Sequence, residues 1–252
     1  MSDPALDALM LPFAQRHLAW PADGALFLRA REGAALHAHA PRERLVCEQS
    51  FRPAHDALAR AGFRTVAQGG DGLGLVLVLP PRQRDEARAL LAEALARTAP
   101  GGRIVAAMPN DAGARSGQAD FQALLGPAEV LSKHKCRVFW AGTGQADAAL
   151  AADWRALDAP RPILDGRWLS RPGVFAWDRI DPASALLAAH LPGSLSGHGA
   201  DLGAGWGFLA AHVLEHCQGV TGLDVVEAEA RALDCARQNL ALHAGRVALE
   251  FL

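Results

Sequence analysis

The sequence predicts an α/β fold in two parts, and three observations carry that reading. Short apolar runs alternate with segments of helical period through the first two-thirds of the chain. Leu73-Gly74-Leu75-Val76-Leu77-Val78-Leu79 is continuously apolar, as a strand buried on both faces of a parallel sheet is. The alternation then restarts after residues 158–172, a stretch rich in Pro, Arg and Gly. The boundary falls there, giving domains 1–165 and 166–252.

In the first domain, strands are expected at Ala25-Leu26-Phe27-Leu28, Leu45-Val46-Cys47 and Phe63-Arg64-Thr65-Val66, with a helix around 54–61. Pro80-Pro81 stops the long apolar strand. Residues 82–98 follow as a helix, because Ala87, Leu90, Leu91, Ala94 and Leu95 share one face. Pro100-Gly101-Gly102 ends that helix, and Arg103-Ile104-Val105-Ala106-Ala107-Met108 is the next strand. A polar loop is expected at 110–117, a helix at 119–125 and a strand at Cys136-Arg137-Val138-Phe139-Trp140.

In the second domain, Asp181-Pro182 opens a helix to about residue 191, Asp as N-cap and Pro at the first helical position. A short strand is expected at Gly199-Ala200-Asp201-Leu202. A helix at 208–217 follows, with Leu209, Val213, Leu214 and Cys217 inward. Next come a strand ending at Asp224, a helix at 227–243 and a strand beginning at Val247. An open sheet left at three strands has an unpaired edge, so the chain is read as ending inside this domain.

The length of 252 residues, 50% of them hydrophobic, supports a sizeable core without metal or disulfide staples. A net charge of −2 excludes a strongly basic nucleic-acid coat, though not a local basic face. The N-terminus carries Asp3 and Asp7 and no targeting signal, and no apolar stretch is long enough to span a bilayer. Cys47, Cys136, Cys217 and Cys235 form no CxxC pair, which points to a reduced, cytoplasmic chain with buried thiols.

The chemistry-bearing motif is Asp201-Leu202-Gly203-Ala204-Gly205-Trp206-Gly207, between a strand and a helix. Its glycines allow a tight turn and close approach of a ligand at the helix N-terminus. A dinucleotide site wants a small residue where this chain has Phe208. Asp201, two residues before the first glycine, suits a ligand with an ammonium group, such as S-adenosylmethionine, and repels a pyrophosphate. Asp224, on the next strand, can accept the protons of ribose hydroxyls. A glycine turn without a ligand is the plain alternative.

Arg171-Pro172-Gly173-Val174-Phe175, Asp178, Ile180-Asp181-Pro182-Ala183-Ser184-Ala185-Leu186-Leu187 and the glycine motif together resemble a known family. They are similar to the small-subunit ribosomal RNA guanine-N2 methyltransferases, of the class I S-adenosylmethionine-dependent superfamily. Pro109-Asn110-Asp111-Ala112-Gly113-Ala114-Arg115-Ser116-Gly117 resembles that family's N-R-S-G-x-R-S stretch, and residues 133–142 its basic-then-aromatic strand.

The resemblance implies two tandem Rossmann-like methyltransferase domains, the second incomplete. The first is expected to be degenerate and without cofactor, since Leu79-Pro80-Pro81-Arg82 stands where a catalytic copy carries Asn-Pro-Pro and an aromatic. The resemblance further implies S-adenosylmethionine as cofactor and ribosomal RNA or the small ribosomal subunit as partner. The cofactor site is assigned to Asp201, Gly203, Gly205, Gly207, Asp224, Phe175 and Asp181. Plain packing is the alternative for Phe175, and a simple N-cap for Asp181. The second copy's own Asn-Pro-Pro-aromatic motif is not within residues 1–252. No catalytic residue is therefore identified, and the chain is expected to be inactive alone.

Trp206 is assigned either to the cofactor or to the core. His212 and His216 are one helical turn apart without an evident third ligand, so no metal is expected. Arg161, Arg167, Arg171 and Arg179 either touch RNA phosphates or simply solvate the linker. The rival functions are a nicotinamide oxidoreductase, a non-catalytic cofactor- or RNA-binding fragment, and a class I methyltransferase with another substrate.

Overall fold

The structure, a computed structural model, describes residues 3–252, and the chain divides into two compact units between Asp158 and Ala159. The elements of the first unit are α1 (Pro4–Ala14), β1 (Ala25–Leu28), α2 (Ala34–His39), β2 (Leu45–Glu48), α3 (Arg52–Arg60), β3 (Arg64–Val66), β4 (Leu73–Val78) and α4 (Arg84–Arg97). They continue with β5 (Thr98–Pro109), α5 (Ala114–Leu125), β6 (Glu129–Lys133), β7 (Cys136–Gly142) and α6 (Ala148–Arg155).

The seven strands lie in the order β3-β2-β1-β4-β5-β7-β6. β1 to β5 run parallel, whereas β7 is antiparallel to β5 and to β6. The central strands are apolar throughout because the sheet is covered on both faces. Phe27, Leu77, Val105 and Trp140 pack toward Leu6, Leu9 and Met10 of α1. Leu26, Val76, Ile104 and Phe139 pack toward Leu91 of α4, Phe121 of α5 and Trp154 of α6.

One expectation for this unit needs correction, and two of its elements, α1 and β6, are not among those expected. The N-terminal text folds as α1, because Asp3 accepts the N–H groups of Ala5 and Leu6 at 3.0 and 3.2 Å and the helix buries Leu6, Leu9 and Met10. The segment expected as a polar loop at 110–117 already contains the first turn of α5. Gly113 turns the chain at φ 93, and Gly117 lies so close to Met108 that a Cβ would collide with its Sδ. Finally, β6 escapes a periodicity reading because it is an edge strand with only partly buried side chains.

The elements of the second unit are β8 (Arg161–Ile163), β9 (Trp168–Ser170), α7 (Pro182–His190), β10 (Ser196–Leu202), α8 (Phe208–His216), β11 (Gly219–Val226), α9 (Ala230–Asn239) and β12 (Ala248–Phe251). β10, β11 and β12 form a parallel sheet in that order, and β10 is exposed along most of its length. Leu223 and Val225 of β11 share a core with Ala210, Ala211 and Leu214 of α8 and Leu233 and Ala236 of α9.

The stretch expected to be irregular linker contains the β8–β9 hairpin, held by burial of Ile163 and Trp168. α8 turns Ala210, Ala211 and Leu214 fully inward, with Leu209 and Val213 only half-buried. α9 is shorter than the 227–243 expected. The Glu227 and Glu229 carboxylates accept the N–H groups of Glu229 and Arg231, so the chain stays extended up to the N-cap at Glu229. No helix among the described residues is long and apolar enough to cross a membrane.

Candidate functional site

The glycine motif forms the turn between β10 and α8. All three glycines are in left-handed backbone, with φ 79 at Gly203, 57 at Gly205 and 93 at Gly207. They do different work. A Cβ on Gly203 or Gly205 would meet open space, whereas one on Gly207 would lie 3.3 Å from the Ala236 backbone of α9. Gly207 thus lets helix and turn approach each other, and the first two leave room above the turn.

The turn is tied to β11. The N–H groups of Gly203 and Ala204 donate to the Val226 carbonyl at 2.8 and 3.0 Å, and that of Gly205 to Glu227 Oε2 at 2.8 Å. Asn239 of α9 secures the other side, donating to the carbonyls of Trp206 and Leu169 at 2.8 and 2.9 Å.

Asp201 closes β10. Burial, together with the nearby Glu227 charge, pushes its carboxyl above the usual range, against a backbone hydrogen bond from Ala210. Its Oδ2 is buried without a hydrogen-bond partner among the described residues. A buried anion with a free oxygen is poised for a cationic ligand group.

Asp181 is the N-cap of α7 and accepts the Ser184 N–H at 3.0 Å. It lines a cavity above the turn together with Phe175, Gly203, Gly205 and Phe208. Phe175 is 72% exposed at this rim. Its loop is anchored by Arg231, which donates to the Pro172 carbonyl at 2.8 Å, and by Trp206 Nε1 on the Ala176 carbonyl at 3.3 Å. Trp206 itself is buried, packs with Trp168 and Phe208, and also borders the cavity.

Asp224 has a side-chain partner of its own. The strand expected to end at Asp224 continues through Val225 and Val226, leaving Asp224 two residues inside β11. Its carboxylate meets His198 Nε2 of β10 at 2.8 Å. The acid directly after the strand, against the glycine turn, is Glu227. The signal for it was present in sequence, because two β-branched valines extend the strand to its neighbour.

His212 and His216 stack with ring centroids 4.2 Å apart. Among the described residues no group of three or more His, Cys, Asp or Glu is placed to hold a metal. Arg167 pairs with Glu215 and Arg179 with Asp178, and Arg161 lies over the Trp177 ring. In the first unit, the turn after β1 has one glycine, Gly33, where a Cβ would come within 2.7 Å of Leu6 Cδ2. The space left open over Gly203 and Gly205 has no counterpart at that position.

Residues 165–251 match the model of the Methyltransferase small domain family. The chain is 32% identical over 184 residues to ribosomal RNA small subunit methyltransferase C of Pseudomonas aeruginosa, covering 72% of this chain and 54% of that protein. The protein of that name from Vibrio vulnificus is 33% identical over 180 residues, or 69% and 52%. The chain is similar to these methyltransferases over about two-thirds of its own length. It spans about half of their length. Among solved structures, the T. thermophilus 16S rRNA N2 G1207 methyltransferase, in complex with AdoMet and guanosine, aligns with a TM-score of 0.77 at 21% identity. That alignment covers 99% of this chain and 68% of the other, and shows an α/β class I methyltransferase fold with a mixed central sheet.

Proposed function

We propose that the chain is part of an S-adenosylmethionine-dependent methyltransferase acting on the exocyclic amine of a guanine in small-subunit ribosomal RNA. The observation that carries this reading is the open glycine turn between two acids, Asp201 with its free buried oxygen and Glu227 at the end of β11. The relatives' names support the class of substrate.

These residues fit the cofactor. Asp201 receives its ammonium group, Gly203 and Gly205 let the ligand lie against the backbone, and Glu227 accepts ribose hydroxyl protons. Phe175 and Asp181 border the same space. When bound, the cofactor supplies a methyl carbon already activated by its sulfonium. The protein's part is to hold that carbon in line with the amine, which is catalysis by positioning. The guanine has to leave its stack to reach the site.

In this reading the chain is a tandem pair. Residues 1–165 are a methyltransferase-like domain without a cofactor, and 166–252 are the cofactor-binding part of a second domain, in a cytoplasmic enzyme. The seven-strand sheet of the first unit supports that division, as does Leu6 packed against Gly33. The test is methyl transfer from labelled S-adenosylmethionine to small-subunit ribosomal RNA by a protein that contains this chain. Incorporation at a guanine amine, lost in Gly205→Val, is expected. Incorporation unchanged in that variant contradicts the site.

A further inference from the structure

The β6–β7 hairpin of the first unit closes through two residues, His134 and Lys135, with Lys133 paired to Cys136 across the turn. Both central residues are in left-handed backbone, at φ 55 and 57. That is a type I′ turn, whose twist suits a hairpin and whose positive φ values favour Asn and Gly. A histidine and a lysine there carry a conformational cost that surrounding contacts have to hold in place. Those contacts are visible on both flanks. The Asn110 N–H donates to the Lys135 carbonyl at 2.9 Å, and the buried Cys136 thiol donates to the His134 carbonyl at 3.4 Å.

The turn concentrates charge as well as strain. Lys133 and Lys135 are the only lysines in the chain, whose other cations are arginines. Lys133, His134 and Lys135 are all exposed, and among the described residues none of them forms an ion pair. At the root of the turn, burial pushes the Cys136 thiol up, and the charges of Asp3, Asp111 and Asp7 add to that. Asp3 is itself held by Arg31 at 3.0 Å. Neighbouring cations that form no ion pair among the described residues, on a turn whose backbone favours other residue types, suit an anionic partner.

We propose that this hairpin tip is a contact for the phosphodiester backbone of RNA, with Lys133 and Lys135 each meeting a phosphate. The proposal rests on the reading that the chain acts on RNA. Compact ammonium groups on flexible stems suit phosphates without reading bases. A turn pinned before binding loses little freedom on contact.

The test uses the full chain, an in-vitro transcribed small-subunit ribosomal RNA, and affinities measured from about 50 to about 200 mM salt. The Lys133→Ala, Lys135→Ala double variant is expected to bind about tenfold more weakly. The slope of log affinity against log salt should fall by about 1.5, the release from two phosphates. A second variant, His134→Asn with Lys135→Gly, installs the residues the turn favours. It should bind more weakly while the first unit melts at the same or a higher temperature. Wild-type affinity and slope in both variants overturn the hairpin assignment and leave the RNA reading standing. A wild-type chain that binds no RNA overturns both. A lower melting temperature in the second variant contradicts the account of the strained turn.

Discussion

The Gly205 N–H donates to the Glu227 carboxylate at 2.8 Å, tying the middle of the glycine turn to the end of β11. This bond places an acid beside the open space over Gly205. Asp224, three residues earlier, is turned to His198 instead. The chain has two acids near the end of one strand, and only one of them faces the turn.

Glu227→Gln should therefore weaken S-adenosylmethionine binding by about 1–3 kcal/mol, the scale of a charged hydrogen bond lost. Asp224→Asn should change it by less than about 0.5 kcal/mol, as a substitution away from the site does. Isothermal calorimetry on the two variants distinguishes them, and the reverse ranking would restore Asp224 to the ribose position.

Asp201 carries a second prediction, with a definite sign. Burial raises its folded carboxyl above the unfolded value, so the charged form costs folding stability as pH rises through the folded value. Asp201→Asn should make the second unit more stable than wild type at pH 7 and erase affinity for an ammonium-bearing ligand. The stability gain should vanish in acid, where wild-type Asp201 is protonated. Urea melts at about pH 2 and at pH 7 measure this, and a variant less stable at pH 7 contradicts it.

Much of this site was legible in sequence because turn chemistry is local. Asp181-Pro182 opens α7 as expected, with the Asp181 carboxylate on the Ser184 N–H. Gly203, Gly205 and Gly207 all need positive φ, which no periodicity argument has to supply. β1 has the bounds read from its apolar run, because strands covered on both faces leave an unbroken signal. The misreadings fall where tertiary packing decides. The reversal of β7 against β5 has no mark in composition. α1 is apolar on much of its surface, and nothing in its own text says that Leu6 covers Gly33. The placement of Glu227 against the turn depends on where β11 ends between β10 and β12.

Gly207 offers a stability test independent of ligand. A Cβ there meets Ala236 at 3.3 Å and strains a residue at φ 93. Gly207→Ala should destabilise the second unit by about 1–3 kcal/mol. Gly203→Ala, with open space above it, should pay only the cost of its backbone conformation, about 1–2 kcal/mol. Thermal unfolding of the pair gives the difference. Equal losses would mean that α9 does not press on the turn.

In the first unit, Asp120 lies between Arg84 and Arg88, at 2.9 and 3.0 Å. Burial pushes its carboxyl up, but the two guanidinium groups outweigh that and hold it below the usual range. Its contribution is present above the unfolded carboxylate value, about 3.9, and is lost as pH falls through the depressed folded value. Asp120→Asn should therefore destabilise the first unit at pH 7 and be near neutral in strong acid. A difference from wild type that persists unchanged at about pH 2 contradicts the pairing.

The most direct measurement of the central claim is calorimetric titration of S-adenosylmethionine into the wild-type chain and into Gly205→Val. The open space over Gly205 is where the ligand is placed, so an added side chain fills it. Binding by the wild type and none by Gly205→Val, with the second unit still folded by circular dichroism, is the result expected. Equal affinity in the two proteins would show that the cofactor, if bound at all, lies somewhere other than the glycine turn.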